Sequence, residues 1–252
     1  MNKRKIEIDL ADFPSQLHEL LRAGEIYDSS CSAEARTLYC DAGYYIKIAP
    51  KGELALEAEM AKRFYALGLG VEVLEYISAD RDYLVTRSAV GEDLTHFTGA
   101  PETICRAMAD GLRKLHSRSA EGVPVSAKFG QYVDASGFCD YLCMDCIGIR
   151  TREEALAIID ANRDRLKRDT LIHGDACLPN IICRDGEFST FIDCGLAGRG
   201  DRHIDLFWAI WSLQFNLKTE DYTDHFLDLY GRESVDFQTL KTVAALEMIG
   251  GE

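Results

Sequence analysis

The sequence lacks any apolar run long enough to cross a membrane, and it lacks a secretory signal. Its densest apolar stretch, Leu206 to Leu213, is too short to span a bilayer. The first residues, Met1 to Asp9, are basic at the start, but no apolar segment follows them as a signal peptide would require. We therefore expect a cytoplasmic protein that has no membrane partner.

Positive charge is also scarce in this chain. There are 28 lysines and arginines against 42 aspartates and glutamates, which gives a formal net charge of −14. Nucleic acids and anionic membranes bind basic surfaces, so neither is expected as a partner. The acidity is compatible with a small cationic substrate, and it is also compatible with a chain that is acidic only for solubility.

The nine cysteines do not form the pattern of a disulfide framework. Their number is odd and no signal peptide precedes them, which favours reduced thiols in an intracellular protein. Cys139, Cys143 and Cys146 are spaced like a three-cysteine iron–sulfur motif. That motif would lie on a loop, whereas these residues lie in a segment of helical character, so we interpret them as packed thiols.

Internal repeats, low-complexity segments and long Pro/Gly/Ser linkers are all absent from the sequence. Residues 1–87 are rich in strand patterns and residues 88–252 are mostly helical, with a short hinge expected between them. A first helix is predicted over Asp12 to Ala23, and a later one over Pro101 to Ser117. His116, near the end of the later helix, is interpreted as a structural histidine because no second titratable motif accompanies it.

Polar side chains interrupt two apolar, strand-like segments in the second half. Asp175 and Asn180 follow the first segment, and Asp193 follows the second. Acidic and amide groups at the ends of buried strands are costly unless a cation or a reacting hydroxyl lies between them. The spacing fits phosphoryl transfer, which uses a catalytic Asp, an Asn five residues later and a second magnesium-binding Asp before a Gly.

These residues carry a resemblance to a known family. His173-Gly174-Asp175 with Asn180, the run Phe191 to Gly195, and Asp201 and Asp205 after Gly-Arg-Gly resemble the aminoglycoside phosphotransferases, in particular the 3′-O-phosphotransferases of the neomycin and kanamycin type. The resemblance is dense from Leu171 to Leu206 and thinner elsewhere. It implies an α+β, bilobal protein-kinase-like fold, with a nucleotide-binding lobe of antiparallel strands at 1–87 and a mainly helical catalytic and substrate-binding lobe at 88–252.

The resemblance also implies an activity and a set of roles. The expected reaction is transfer of the γ-phosphoryl group of ATP, with GTP as a possible donor, to a hydroxyl of an aminoglycoside, the 3′-hydroxyl being the expected position. Asp175 would be the catalytic base, and Asn180 and Asp193 would bind Mg²⁺. His173 and Asp205 would brace the catalytic loop. We expect a monomer or a weak dimer.

Lys47 lies inside the apolar strand pattern Tyr-Ile-Lys-Ile, where a cation needs a partner. The helix that follows offers Glu57 and Glu59. By the family's register Glu59 is the partner that holds Lys47 against the nucleotide phosphates, and Glu57 is the alternative.

Three further nucleotide contacts are implied by the same register. The loop from Asp28 to Ala33 contains no G-x-G-x-x-G, and Ser32 is the predicted phosphate contact within it. A plain polar turn is the alternative. The carbonyl of Thr86 and the N–H of Ser88 are the predicted adenine contacts at the hinge.

The acceptor contacts are the least specified part of the sequence. Asp145, Glu153 and Glu247 are the predicted carboxylates for a cationic substrate. The chain departs from the 3′-kinases at Leu196, where they carry an Arg, and at Phe215, where they place an acid. A kinase of this fold for another hydroxylated metabolite, such as a sugar, choline or homoserine, therefore remains an alternative, as does an inactive kinase-shaped module that binds nucleotide.

Overall fold

The computed structural model describes residues 3–30, 35–131 and 148–250. Contacts between residues divide the chain into two compact units, Met1–Ala89 and Val90–Glu252. The first unit is rich in strands and the second is mainly helical, which confirms the predicted α+β class. The boundary after Ala89 differs slightly from the predicted boundary after residue 87.

The first unit is built on an antiparallel sheet of six strands, in the order β1-β2-β3-β4-β6-β5. The strands are β1 (Arg4–Lys5), β2 (Ile26–Asp28), β3 (Arg36–Cys40), β4 (Tyr44–Pro50), β5 (Val73–Ser78) and β6 (Arg81–Arg87). Strands β3 and β4 form a tight hairpin, because Cys40 pairs with Tyr44 across a turn in which Gly43 has a φ of +97°. On β4, Tyr44, Ile46 and Ile48 face the core, so Lys47 faces the opposite side of the sheet.

Two helices accompany this sheet. Helix α1 (His18–Arg22) is shorter than the predicted helix over Asp12 to Ala23, and two 3₁₀ turns replace its first part. Phe13 is extended, with φ −126° and ψ 148°, because the ring of Pro14 disfavours a helical residue before it. Helix α2 (Ala55–Ala66) follows β4 and buries Ala58, Met60 and Phe64.

The second unit begins with β7 and contains six helices and five strands among its described residues. Its elements are β7 (Glu92–Asp93), α3 (Pro101–His116), α4 (Ala127–Gln131), α5 (Arg152–Asn162), β8 (Thr170–Ile172), β9 (Ile181–Arg184), β10 (Glu187–Phe191), β11 (Gly198–Gly200), α6 (Arg202–Leu217), α7 (Thr223–Tyr230) and α8 (Phe237–Gly250). Strands β10, β9 and β7 form one small sheet, and β11 pairs with β8 in another. Within the described ranges, no helix has both the length and the apolar character to cross a membrane.

Short strands and a central helix position the polar loops of this unit. Strand β8 is fully buried and β9 nearly so, and a tight turn at Asp185 and Gly186, both with positive φ, joins β9 to β10. Helix α6 is buried along most of its length and packs against α3, α8 and β8. The loop after β8, the loop after β10 and the first turn of α6 therefore lie close together.

Candidate active site

The catalytic loop leaves β8 at His173 and reaches β9 after Asn180. Gly174 has a φ of +84°, and a Cβ atom at this position would lie 2.3 Å from the carbonyl oxygen of Leu196. A side chain is excluded both by the backbone conformation and by this approach. The close contact explains why glycine stands where protein kinases carry arginine, and it joins the loop of Asp175 to the loop of Asp193.

Asp205, in the first turn of α6, holds the backbone of the catalytic loop. Its Oδ2 accepts the N–H of His173 and its Oδ1 accepts the N–H of Gly174, each at 2.8 Å. The carboxylate is fully buried, and charge-assisted hydrogen bonds to backbone N–H groups are among the stronger kinds. These contacts support the predicted bracing role, which stays a prediction.

His116 and Tyr230 extend this hydrogen-bond chain. His116 Nε2 lies 3.0 Å from Asp205 Oδ2 and donates to it, and His116 Nδ1 lies 2.8 Å from the Tyr230 hydroxyl. Burial raises the pKa of Tyr230 to about 12, which keeps the phenol protonated as a donor. His116 is thus structural, as predicted. Its links to Tyr230 and Asp205 could not be predicted from the sequence, because these residues are far apart in the chain.

The ring of His173 connects the two loops directly. Its Nε2 donates to the carbonyl oxygen of Ile192 at 2.9 Å, and its Nδ1 accepts the N–H of Asp175 at 3.3 Å. Both contacts are satisfied by a neutral ring with the proton on Nε2. His173 therefore stabilises backbone geometry on either side of the site.

Asp175 and Asn180 contact each other. The Asn180 amide Nδ2 donates to Asp175 Oδ2 at 2.8 Å and to the Asp175 carbonyl at 3.0 Å. Asp175 is half-buried, and the amide fixes the orientation of its carboxylate. The thiol of Cys177 has a pKa raised by burial, and the nearby negative charge of Asp175 adds to that increase.

Asp193 follows β10 in a left-handed conformation, with φ 58° and ψ 63°. This conformation is uncommon for a residue other than glycine, although aspartate tolerates it better than most. Asp193 is exposed, and the Ile192 N–H donates to the Asn180 carbonyl at 3.0 Å, which places the two predicted metal ligands on adjoining backbone.

The donor set of Asn180 and Asp193 fits Mg²⁺. Both side chains offer hard oxygen atoms, and Mg²⁺ is usually held by one or two protein ligands with water and phosphate oxygens completing the shell. Because the Asn180 amide nitrogen is bonded to Asp175, its Oδ1 is directed elsewhere. No group of three or more His, Cys, Asp and Glu side chains suited to a metal occurs in the described part of the chain.

In the first unit, Lys47 pairs with Glu57 and not with the predicted Glu59. Lys47 Nζ lies 2.8 Å from Glu57 Oε2, and the Glu57 side chain is 9% exposed. Residues two apart on a helix point in nearly opposite directions, so Glu59 is exposed on the other face of α2. The helix phase thus selects the alternative partner, and the register taken from the family is wrong at this position.

The structure contradicts one of the two predicted adenine contacts, Ser88, and leaves the other, Thr86, as a prediction. The N–H of Ser88 already donates to the carbonyl of Gly43 at 2.9 Å, so it is not available to a base, and this prediction is wrong. Thr86, near the end of β6, pairs with Tyr45 and Val73, and its role stays a prediction. Ser32 lies outside the described residues.

The three carboxylates predicted to bind the acceptor differ in burial and in whether the structure describes them. Asp145 and the three clustered cysteines, Cys139, Cys143 and Cys146, lie outside the described residues. Glu153 is exposed in the first turn of α5 and stays a prediction. Glu247 on α8 is 3% exposed, and it binds the Trp208 Nε1 and the Lys128 ammonium group, each at 2.8 Å. The structure thus shows Glu247 paired inside the protein, which contradicts its prediction as an open carboxylate for the substrate.

Comparison with known proteins identifies relatives along the whole chain. The model of a phosphotransferase enzyme family matches residues 32–241. A probable aminoglycoside 3′-phosphotransferase of Lactococcus lactis is 39% identical over 260 residues, which cover 99% of each chain. A streptomycin 3″-kinase of Streptomyces griseus is 33% identical over 189 residues, which cover 66% of this chain and 68% of the relative.

Solved structures show the same fold. An aminoglycoside phosphotransferase from Streptomyces rimosus aligns with a TM-score of 0.75 at 21% identity, covering 97% of this chain and 99% of that one. An aminoglycoside 3′-phosphotransferase of type VIII aligns with a TM-score of 0.68 at 24% identity, covering 88% of this chain and 91% of that one. The fold is therefore kinase-like, and the family match spans most of the sequence. This chain belongs to the phosphotransferase enzyme family.

Proposed function

We propose that this enzyme transfers the γ-phosphoryl group of ATP to a hydroxyl of an aminoglycoside, with the 3′-hydroxyl as the acceptor position. The relative named a probable aminoglycoside 3′-phosphotransferase shares 39% identity over nearly the full length of both chains. The observation that carries the proposal is the Asp175–Asn180 contact at 2.8 Å on a loop whose backbone is bound by Asp205.

Asp175 is the proposed catalytic base for the acceptor alcohol. Phosphoryl transfer has a loose transition state, so the base mainly orients the hydroxyl and accepts its proton late in the reaction. The Asn180 amide holds one carboxylate oxygen, and this hydrogen bond reduces the freedom of the side chain before substrate binds. The acceptor is thereby aligned at little cost in entropy.

Asn180 and Asp193 supply the oxygen atoms that would hold Mg²⁺. When bound, the ion supplies neutralisation of the charge that develops on the phosphate oxygens. Lys47, oriented by Glu57 at 2.8 Å, supplies the fixed positive charge for the nucleotide phosphates in this proposal. Since the donor is ATP, we expect the enzyme to act in the cytoplasm.

The acceptor hydroxyl is the part of the proposal that needs a direct test. ADP release is measured with kanamycin, neomycin, ribostamycin and streptomycin, alongside choline and a panel of sugars, with the Asp175→Asn variant as the blank. We expect turnover with aminoglycosides that carry a 3′-hydroxyl, and a product whose phosphate maps to that position by mass spectrometry and NMR.

The same measurement separates the other candidates. The 33% identity to a streptomycin 3″-kinase, together with Leu196 and Phe215 at positions where 3′-kinases differ, favours a 3″-acceptor as the second candidate. Phosphorylated streptomycin as the main product would replace the 3′ assignment with that one. Turnover of choline or a sugar without any aminoglycoside would overturn both, and nucleotide binding without turnover would indicate an inactive module.

A further inference from the structure

Lys128, on α4, places its ammonium group in a small cage that is already complete within the protein. Lys128 Nζ lies 2.8 Å from Glu247 Oε2 and 4.9 Å from the centroid of the Trp208 ring. The indole Nε1 of Trp208 donates to the other oxygen, Glu247 Oε1, at 2.8 Å. A carboxylate and the face of an aromatic ring are the two groups that best bind an ammonium ion when little water is present.

The cage is well shielded from solvent. The side chains of Lys128 and Glu247 are 13% and 4% exposed. A buried carboxylate needs a cation and hydrogen bonds to stay charged at low cost, and the cage supplies both. Glu247 and Trp208 therefore form a site with strong preference for one positively charged nitrogen.

Two contacts connect the elements that carry the cage with the loops of Asp175 and Asp193. The thiol of Cys177, two residues after Asp175, lies 3.9 Å from the backbone carbonyl of Trp208. Burial is the main cause of the raised pKa of Cys177, and the negative charges of Asp175 and Glu247 add to it. The α4 segment is fixed beside the loop of Asp193, because Ser126 Oγ donates to the Leu196 carbonyl at 2.6 Å.

An aminoglycoside carries several amino groups that are protonated at neutral pH. The Glu247 carboxylate has the charge to bind such a group, but it is paired with an ammonium group of the protein itself. We propose that Lys128 is a specificity-determining residue, whose ammonium group fills the cage of Glu247 and Trp208 and excludes an amino group of the acceptor from it. This inference rests on the proposed function for its biological meaning, but the cage can be tested separately.

The test compares Lys128→Met with wild type. Methionine keeps the apolar part of the lysine stem and removes the charged Nζ atom, so the space next to Glu247 that this atom filled becomes free for an external ammonium group. Binding is followed by intrinsic fluorescence, since the only two tryptophans of the sequence are Trp208 and Trp211. We expect Lys128→Met to bind neomycin at least about ten times more tightly than wild type does, which corresponds to about 1.4 kcal/mol. We expect a smaller change with paromomycin if its hydroxyl, which replaces one amino group of neomycin, is the group that meets the cage.

Two further variants control for charge and folding. Lys128→Arg keeps a cation in the cage and is expected to bind like wild type. The double variant Lys128→Met/Glu247→Gln also removes the buried negative charge of Glu247, so it is expected to fold and to show no gain. Ethylammonium serves as a probe that does not depend on antibiotic recognition, and it should raise the melting temperature of Lys128→Met alone.

The outcomes distinguish this inference from the proposed function. Equal binding of neomycin and ethylammonium by wild type and Lys128→Met would overturn the role of Lys128, even if aminoglycosides are phosphorylated. Saturable binding of ethylammonium by Lys128→Met, and not by wild type, would support the role of Lys128. If no aminoglycoside is turned over in the same work, only the proposed function is overturned.

Discussion

Asp175 and Asn180 act as a pair at the centre of the proposed chemistry. Asn180 donates to both the side chain and the backbone of Asp175, so it orients the base while its own oxygen faces away from that bond. One residue is thus shared between the proton acceptor and the proposed metal site. The effect of changing either residue will depend on the other.

The first prediction concerns Asp175→Asn. An amide cannot accept the proton of the acceptor hydroxyl, so kcat should fall by about 10² to 10⁴. Nucleotide affinity should stay nearly unchanged, because the base contacts the acceptor and not ATP. Steady-state kinetics and calorimetric titration with ATP measure the two quantities, and an equal loss of both would show that Asp175 is structural.

The second prediction compares two glutamates of α2 that are changed in the same way. Glu57→Gln removes the charge that pairs with Lys47 at 2.8 Å and should weaken ATP binding about tenfold, which is the scale of a charge-assisted hydrogen bond. Glu59→Gln, on the exposed face of the same helix, should change ATP binding less than about twofold, as expected for a surface site. Dissociation constants from titration give the result, and the reverse ranking would restore Glu59 as the partner of Lys47.

The hydrophobic pattern of α2 distinguishes these two glutamates in the sequence itself. Glu57 stands three residues before Met60 and seven before Phe64, on the stripe that the predicted helix turns to the core. Its neighbour Glu59 falls on the opposite side. Hydrophobic phase was therefore a better guide here than register transferred from relatives.

At the level of elements, the fold depends on how α6 presents its first turn. Asp201 accepts the backbone N–H of His203 and caps the helix, while Asp205, one turn later, faces the catalytic loop. One acid starts the helix and the other attaches it to the site. The two residues can thus be changed separately.

The third prediction concerns Asp205→Asn. Asparagine offers one acceptor oxygen where the carboxylate uses two, so either His173 or Gly174 is left with an unpaired buried N–H, at a cost of about 1 to 3 kcal/mol. We expect a lower melting temperature and a lower kcat, with a smaller effect on ATP affinity. Asp201→Asn on the same helix keeps an effective cap and should leave kcat unchanged at neutral pH.

The comparison of these two variants can also contradict the bracing role of Asp205. If Asp205→Asn and Asp201→Asn reduce kcat equally, Asp205 supports the helix in general and does not specifically hold the loop. Thermal unfolding followed by circular dichroism separates the loss of stability from the loss of turnover.

Elements of local origin were largely predictable from the sequence, and contacts between distant segments were not. The β3–β4 hairpin, α3, α6 and the loop carrying Asp175 follow from turn residues, helix caps and spacing. The pairing of Lys128 with Glu247 joins α4 to α8, and the bond from Ser88 to Gly43 joins a strand end to a turn. No local pattern specifies such pairs, because packing of whole elements brings them together.

At the scale of the whole molecule, carboxyl groups whose pKa is lower in the folded state make the stability depend on pH. Burial alone would raise the pKa of Asp201, but hydrogen bonds from the His203 ring, the Lys167 N–H and the His203 N–H outweigh it and lower the pKa. A carboxyl whose pKa is lower in the folded state contributes stability above its unfolded value, near 3.9, and loses that contribution as the pH falls through the folded value.

The fourth prediction follows from that sign. Asp201→Asn should be less stable than wild type between about pH 5 and pH 7. The difference should shrink as the pH falls below about 4, because the unfolded carboxyl is protonated first and the folded one only at its lower pKa. Urea unfolding across this range measures it. Glu220→Gln, at an exposed position, should have little effect at any pH, and a constant Asp201→Asn difference down to pH 3 would contradict the argument.

The ring of His173 on the Ile192 carbonyl, with Gly174 packed on Leu196, turns two separate loops into one rigid insert carried by α6. Acceptor preference, by contrast, is proposed to depend on side chains of α4, α6 and α8. The set of aminoglycosides that the enzyme accepts can then change through substitutions in those helices, while the two joined loops stay unchanged. An inhibitor shaped to the insert would meet the same surface whichever antibiotic the helices come to admit.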